Sequence, residues 1–255
     1  NCVITGWTSF AATIKKVAVK GTTFAEGNYN YVRFYQKEVI IDGCTFNKDM
    51  TVDLAVDGAE VTVTNSTLTD GNVEDLFEDV DIVKSNITID GERLVRVAKI
   101  GNTYYETFGE AFAAAQADDT ITILAGDYTA DLAVNKAITV VGETDADGKN
   151  LVNITGRVSA STGATVKNLN VHNDKTGDYA CAIVVNGSDI VIDRCQMTGY
   201  NGMKYCYAKG DVTIKNSIIT GSNFAVHFDG SNGGNLTIEN CDITAETLDK
   251  LLVVD

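Results

Sequence analysis

Apolar residues along this chain recur at every second position in short runs, and the runs break in the same way each time. An apolar residue is followed two places on by another, then three further by a small residue, then two further by a third apolar residue. The copies are Val17, Val19, Thr22, Phe24; Val39, Ile41, Cys44, Phe46; Val61, Val63, Ser66, Leu68; and Val80, Ile82, Ser85, Ile87. They continue as Ile121, Ile123, Gly126, Tyr128; Ala164, Val166, Leu169, Val171; Ile190, Ile192, Cys195, Met197; Val212, Ile214, Ser217, Ile219; and Leu236, Ile238, Cys241, Ile243. Cys2 and Ile4 are the remains of a further copy.

A step of two keeps side chains on one face of a strand, so each half of the pattern is a strand with an apolar inner face. The step of three breaks that register. A corner there lets both halves face inward, and it favours a residue that tolerates a left-handed backbone. Gly21, Gly43, Asn65, Asn168, Asn216 and Asn240 occupy that place, while Lys84, Ala125 and Arg194 depart from the rule. The period near 22 residues is one coil of a solenoid. A third inward strand ends at a glycine in several coils: Leu54 and Val56 before Gly58, Ile183 and Val185 before Gly187, Cys206 and Ala208 before Gly210, Val226 and Phe228 before Gly230. The predicted fold is all-β, a right-handed parallel β-helix. At about 4.8 Å per strand, some ten coils predict a rod roughly 50 Å long.

The rhythm fails between residues 93 and 116. Arg93 to Ile100, Gly101-Asn102 and Thr103 to Tyr105 read as a hairpin. Glu106 to Gln116 reads as a helix with Tyr105, Phe108, Phe112 and Ala115 on one face, which suits a cap over an apolar solenoid end. The expected organisation is therefore the C-terminal coils of a first β-helix module over 1–92, a hairpin and capping helix over 93–116, and a second module over 117–255.

Composition narrows the partners. A net charge of -15 disfavours nucleic acid and anionic membranes, since phosphate binding needs clustered Lys and Arg. No run approaches the roughly 20 apolar residues of a membrane span, so membrane insertion is not expected. The chain starts in mid-pattern and is expected to be part of a larger one. Cys2, Cys44, Cys195 and Cys241 take the small inward position that Thr22, Ser66, Ser85 and Ser217 fill elsewhere, which predicts stacked structural thiols. A bridge between Cys181 and Cys206 on neighbouring coils is the alternative for that pair.

Three groups of residues carry candidate chemistry. Tyr31, Arg33 and Tyr35 alternate with Val32 and Phe34, so they line an outer face and suit carbohydrate or protein contact. His227 is expected to point outward one coil above Tyr207, with Asp229 nearby; an aromatic, an imidazole and a carboxylate could hold a sugar or act as acid and base. His172, by contrast, is expected in a loop. Asp145, Asp147 and Asn150 around Gly148 alternate as in part of a Ca²⁺ loop but lack its distal bidentate Glu, so a plain turn is weighed against a weak Ca²⁺ site. No other cofactor is expected.

The run KIGNTYYETFGEAFAAAQADDTITILAGDYTADLAVNKAITVVGE (99–143) resembles the first segment of pectin-lyase-like parallel β-helix domains in large bacterial surface and secreted proteins. VTIKNSIITG (212–221) and LTIENCDIT (236–244) are similar to the coil repeats of that superfamily. Its members include lyases, hydrolases, adhesins and phage tail proteins, so the resemblance implies architecture and not one activity. Gly-His-Gly and Arg-x-Lys segments of galacturonan hydrolases are absent, and a chain without proline cannot carry the proline-bearing Arg motif of pectate lyases. The expected function is an extracellular or cell-surface structural and adhesive region, without catalytic residues, that displays a surface to a glycan or a cell-surface protein. A polysaccharide lyase or glycoside hydrolase working around His227, Tyr207 and Asp229 is the alternative, and a trimeric phage tail or fibre component is a further one.

Overall fold

The computed structural model describes residues 2–254 except 28, 83, 178 and 230–232, and for 204–208 the backbone alone. Strands hold 52% of the chain and helices 6%, in a β-solenoid of about 10 turns with roughly 24 residues per turn. The chain divides into two compact units, Asn1–Val95 and Arg96–Asp255.

In the first unit, Lys16–Lys20, Glu38–Asp42, Glu60–Thr64 and Asn86–Ile89 form one parallel sheet. Thr8–Phe10, Tyr31–Phe34 and Thr51–Leu54 form another. Cys2–Thr5, Thr22–Ala25, Thr45–Phe46 and Thr67–Leu68 make the third. In-register pairing puts like side chains on top of each other inside. Phe24 stacks on Phe46 with ring centroids 4.7 Å apart, and Phe10 on Phe34 at 5.1 Å. These offset-stacked pairs add to simple burial.

The fourth coil corrects the sequence reading. Ile87 and Ile89, and not Val80 and Ile82, lie over Val61 and Val63, and the corner is Asp90 with φ 48°, not Lys84. A 3₁₀ turn at Val73–Phe77 buries Leu76 and Phe77 ahead of that strand. The extra residues displace the coil pattern, and Val80 and Ile82 match it only because spacing by two is common among apolar residues.

The second unit has an eight-stranded sheet in which Ile121, Val140, Val166, Ile192, Ile214 and Ile238 stand in one inward line. Two six-stranded sheets complete the coils. Val212, Ile214 and Ile219 are buried, and the segments at 190, 212 and 236 pair parallel. One coil was hidden from the sequence pattern: Thr139–Gly142 and Val152–Thr155 are its strands, separated by residues 143–151 where other coils turn a short corner.

Corners are left-handed even where the residue type is unfavourable, since Arg194 adopts φ 53° beside Asn168, Asn216 and Asn240 at 51–56°. Ala125 has no left-handed backbone; its N–H is held instead by the Glu143 carboxylate at 2.8 Å. The small residue after the corner has a polar task as well as a steric one. The Ser217 hydroxyl donates to the Lys215 carbonyl at 2.7 Å and accepts the Cys195 N–H at 3.1 Å; Ser66 serves Thr64 and Cys44 in the same way. At Cys195 the thiol in that place is sealed in, and burial pushes its pKa up to about 12. Cys44 is also buried, Cys241 is half-buried and Cys2 is exposed.

Gly187 ends its strand because a Cβ there would come within 2.3 Å of the Thr162 hydroxyl on the preceding coil. A hairpin turned at Gly101 is present, but its first strand is Ala98–Ile100 and not the whole of 93–100, because Arg93 pairs antiparallel with Thr88 in the first unit. The helix is shorter than expected, Phe108–Ala114, because Thr107 and Glu110 close a capping box at its start. Phe108 and Phe112 pack on the core from this helix.

Candidate functional site

Outward positions follow from the same alternation that builds the core. In the strand Tyr31–Phe34, Val32 and Phe34 are buried, so Tyr31 and Arg33 face out, with Tyr35 just beyond. Asp53 lies beside Arg33 on the next coil and organises all of them. The Tyr31 hydroxyl and Arg33 Nε both donate to Asp53 Oδ2. The Arg33 guanidinium carbon sits 5.2 Å from the Tyr31 ring centroid and 5.8 Å from that of Tyr35, and Nη1 donates to the Tyr35 hydroxyl at 3.4 Å. Burial, then the Asp53 hydrogen bond, raises the Tyr31 hydroxyl pKa; the bonds to Tyr35 and Asp53 hold Arg33 firmly protonated. Proton and charge are thus both committed within the cluster. It is suited to contact, as a rigid amphipathic patch, and not to proton transfer. Sequence reading missed Asp53, although one coil period from Arg33 points to its neighbourhood.

His227 is half-buried between buried Val226 and Phe228, as an outward residue of its strand, and stacks on Phe224 at 5.3 Å. Strand register sets Tyr207 across from Asp229, in line with Asn186, and sets His227 across from Val253. Tyr207 therefore stands two places along from the His227 row in which the sequence had placed it, because the two strands pair at an offset of more than the expected 20 residues on both sides of the irregularity between Met203 and Cys206. The side chains of Tyr207 and Cys206 lie outside the described residues. Cys181 stands across from Asn201, and Asn186 across from Tyr207, so Cys181 and Cys206 occupy opposite ends of their paired strands and do not suit a bridge.

In the loop after Gly142, Asp145 Oδ1 accepts the N–H groups of Asp147 and Lys149 at 3.0 and 2.8 Å, an Asx-type turn. The Asn150 amide donates to Asn170 and to the Arg194 carbonyl on later coils. Asp145 and Asn150 are thus engaged in holding the insertion, and the described residues contain no group of three or more His, Cys, Asp or Glu able to hold a metal ion.

A further surface emerges from the register alone. His172, expected in a loop, lies within the strand Asn170–Asn173. Thr129, Thr155, His172, Thr198, Thr220 and Thr244 form one outward row across six strands. Asp127, Asn153, Asn170, Gln196, Ile218 and Asp242 form the row beside it. Neighbours within the rows hydrogen-bond: Asn153 donates to Asp127 at 2.7 Å, Asn170 to Asn153 at 2.8 Å, and His172 Nδ1 lies 2.9 Å from the Thr198 hydroxyl. Rungs are about 4.8 Å apart and the two rows about 7 Å apart. These residues straddle the coil pattern, and the insertion at 143–151 conceals the alignment of the first rungs.

Among known families, residues 153–255 match the model described as a right handed beta helix region. No curated protein and no solved structure matches the chain.

Proposed function

We propose that this right-handed parallel β-helix repeat region is a display scaffold, in which a stiff apolar core carries a regular outer surface to a glycan or protein partner outside the cell or at its surface. The paired outward rows of the second unit carry the reading. Short hydroxyl and amide side chains at fixed intervals offer repeated donors and acceptors, which suits an extended partner with repeated polar groups. Parallel strands also immobilise the backbone beneath them, so little ordering entropy is lost on contact. The Tyr31, Arg33 and Tyr35 patch supports the same reading in the first unit, because Asp53 fixes its rings before any partner arrives. The likeness to repeats of surface and secreted proteins supports the location.

Glycan-array and cell-binding assays test the reading. Replacing Thr155, Thr198 and Thr220 together with alanine is expected to weaken binding by about tenfold or more, equivalent to roughly 1.4 kcal/mol. Replacing Tyr31, Arg33 and Tyr35 together is expected to weaken it separately. Binding indifferent to both sets would rule out display by these surfaces, and release of new reducing ends or unsaturated products from a polysaccharide would replace display with turnover.

A further inference from the structure

The eight-stranded sheet of the second unit has an outer face separate from the Tyr31 patch and from the paired rows of the six-stranded sheet. Thr120, Thr139, Thr165, Val191, Thr213 and Thr237 form its central row, one from each of six successive coils. All six are half-buried or exposed, and no register shift interrupts their strands. Charged residues make up 22% of the chain, yet this row has none. An exposed, uncharged, β-branched row is a surface through which sheets pack face to face.

Charge lies in the flanking rows, and unevenly. On one side stand Thr122, Val141, Lys167, Asp193, Lys215 and Glu239, in the same coil order. Two places before the central row, on the other side, are Asp118, Ala137, Gly163, Asp189, Asp211 and Asn235. The last three coils therefore carry Asp189, Asp193, Asp211 and Glu239 against Lys215 alone, while the first three carry only Asp118 and Lys167. Lys167, Lys215 and Glu239 form no ion pair among the described residues; buried Asp193 is held by the Asn216 amide at 2.9 Å and Arg194 at 3.6 Å.

Two copies laid face to face in the same direction would set the acidic coils on each other. Turning one copy by half a turn about an axis along the strands, between the coils of Lys167 and Asp193, reverses the coil order and keeps each row against its counterpart. Thr165 then faces Val191 of the second copy, Thr139 faces Thr213 and Thr120 faces Thr237. Lys167 faces Asp193, Val141 faces Lys215 and Thr122 faces Glu239. At the other margin Gly163 faces Asp189, Ala137 faces Asp211 and Asp118 faces Asn235. No pair opposes like charges. The face is thus self-complementary, as a two-fold interface requires. At about 4.8 Å per coil and about 3.3 Å per residue it measures roughly 29 by 16 Å, or roughly 900 Å² over both copies, which suits a weak, reversible dimer.

We infer that this face pairs two copies of the chain with their coils running in opposite directions. The pairing is independent of the display surfaces and stands whether or not they bind a partner. Sedimentation equilibrium of the whole chain is expected to show a monomer–dimer equilibrium with a Kd of about 100 μM. Thr165→Lys and Val191→Glu are each expected to weaken self-association about tenfold or more, since like charges then crowd the centre of the face. Mixing the two variants is expected to restore a dimer about tenfold or more tighter than either forms alone, because the introduced ammonium and carboxylate face each other. Thr139→Lys and Thr213→Glu, one coil further out, repeat the test if a central variant fails to fold. A chain still monomeric at about 1 mM, or a dimer indifferent to these substitutions, would overturn the pairing and release the face for a different protein. Variants that lose self-association but gain nothing on mixing would overturn the opposed direction of the coils.

Discussion

At Asn216 the backbone takes φ 52° and the side chain reaches across to donate to Asp193 at 2.9 Å, so one residue both turns the corner and ties it to the neighbouring coil. Arg194 holds the same conformation without the short polar side chain that makes it tolerable. A left-handed residue with a Cβ costs about 1–2 kcal/mol. Arg194→Gly is therefore expected to stabilise the protein by about 1 kcal/mol, and Asn216→Ala to destabilise it by about 1–2 kcal/mol, both read from urea unfolding midpoints. Asp42 gives a pH-dependent counterpart. Hydrogen bonds from Asn65 and Thr64, and then Lys20, lower its pKa below the ordinary aspartate value. A depressed folded pKa stabilises above the unfolded value and is lost as pH falls through the folded one. Asp42→Asn is thus expected to unfold more readily than the parent protein at pH 7, with the difference vanishing as pH drops below the ordinary aspartate range. A gap that persisted at low pH would assign the effect to something other than that charge. Corners of this kind were legible in the sequence wherever Gly or Asn turned them. Asp90 was missed because aspartate signals a turn of many types, and only its place after Ile87 and Ile89 reveals which.

Single elements show how the repeat is interrupted and closed. The helix Phe108–Ala114 is too short to persist by its own hydrogen bonds. Thr107 and Glu110 satisfy its first N–H groups, and Lys136 Nζ donates to the carbonyls of Phe112, Ala113 and Ala115 at 2.7, 3.1 and 2.7 Å. A cation at a helix C-terminus satisfies the orphan carbonyls and opposes the helix dipole. Lys136→Met, which keeps the stem, is expected to cost about 1 kcal/mol and to speed amide exchange in the helix ahead of the coil strands. Uniform loss of protection would show that the helix has no separate stability. The helix itself was legible from the spacing of its aromatic residues, but its ends were not, because capping at Thr107 and the lysine from a coil 21 residues on decide them. Insertions caused the larger errors: the turn at Val73–Phe77 shifted one coil and residues 143–151 hid another, since a fixed-spacing pattern has no place for either.

Across the molecule, each unit is governed by register: residues that share a place in the coil share a row in space. Tyr31, Arg33 and Tyr35 could be placed on an outer face from alternation alone. The row of Thr129, Thr155, His172, Thr198, Thr220 and Thr244 could not, because coils of unequal length set their sequence separations. That surface depends on parallel stacking in the second unit. Isotope-edited NMR of contacts between backbone protons of adjacent strands measures that stacking directly. Contacts are predicted to link Ile192 to Ile214 and Ile214 to Ile238, with Val191, Thr213 and Thr237 in step beside them. Contacts running in the opposite sense, with Val191 nearest Lys215 and Asp193 nearest Thr213, would contradict the fold and every surface built upon it.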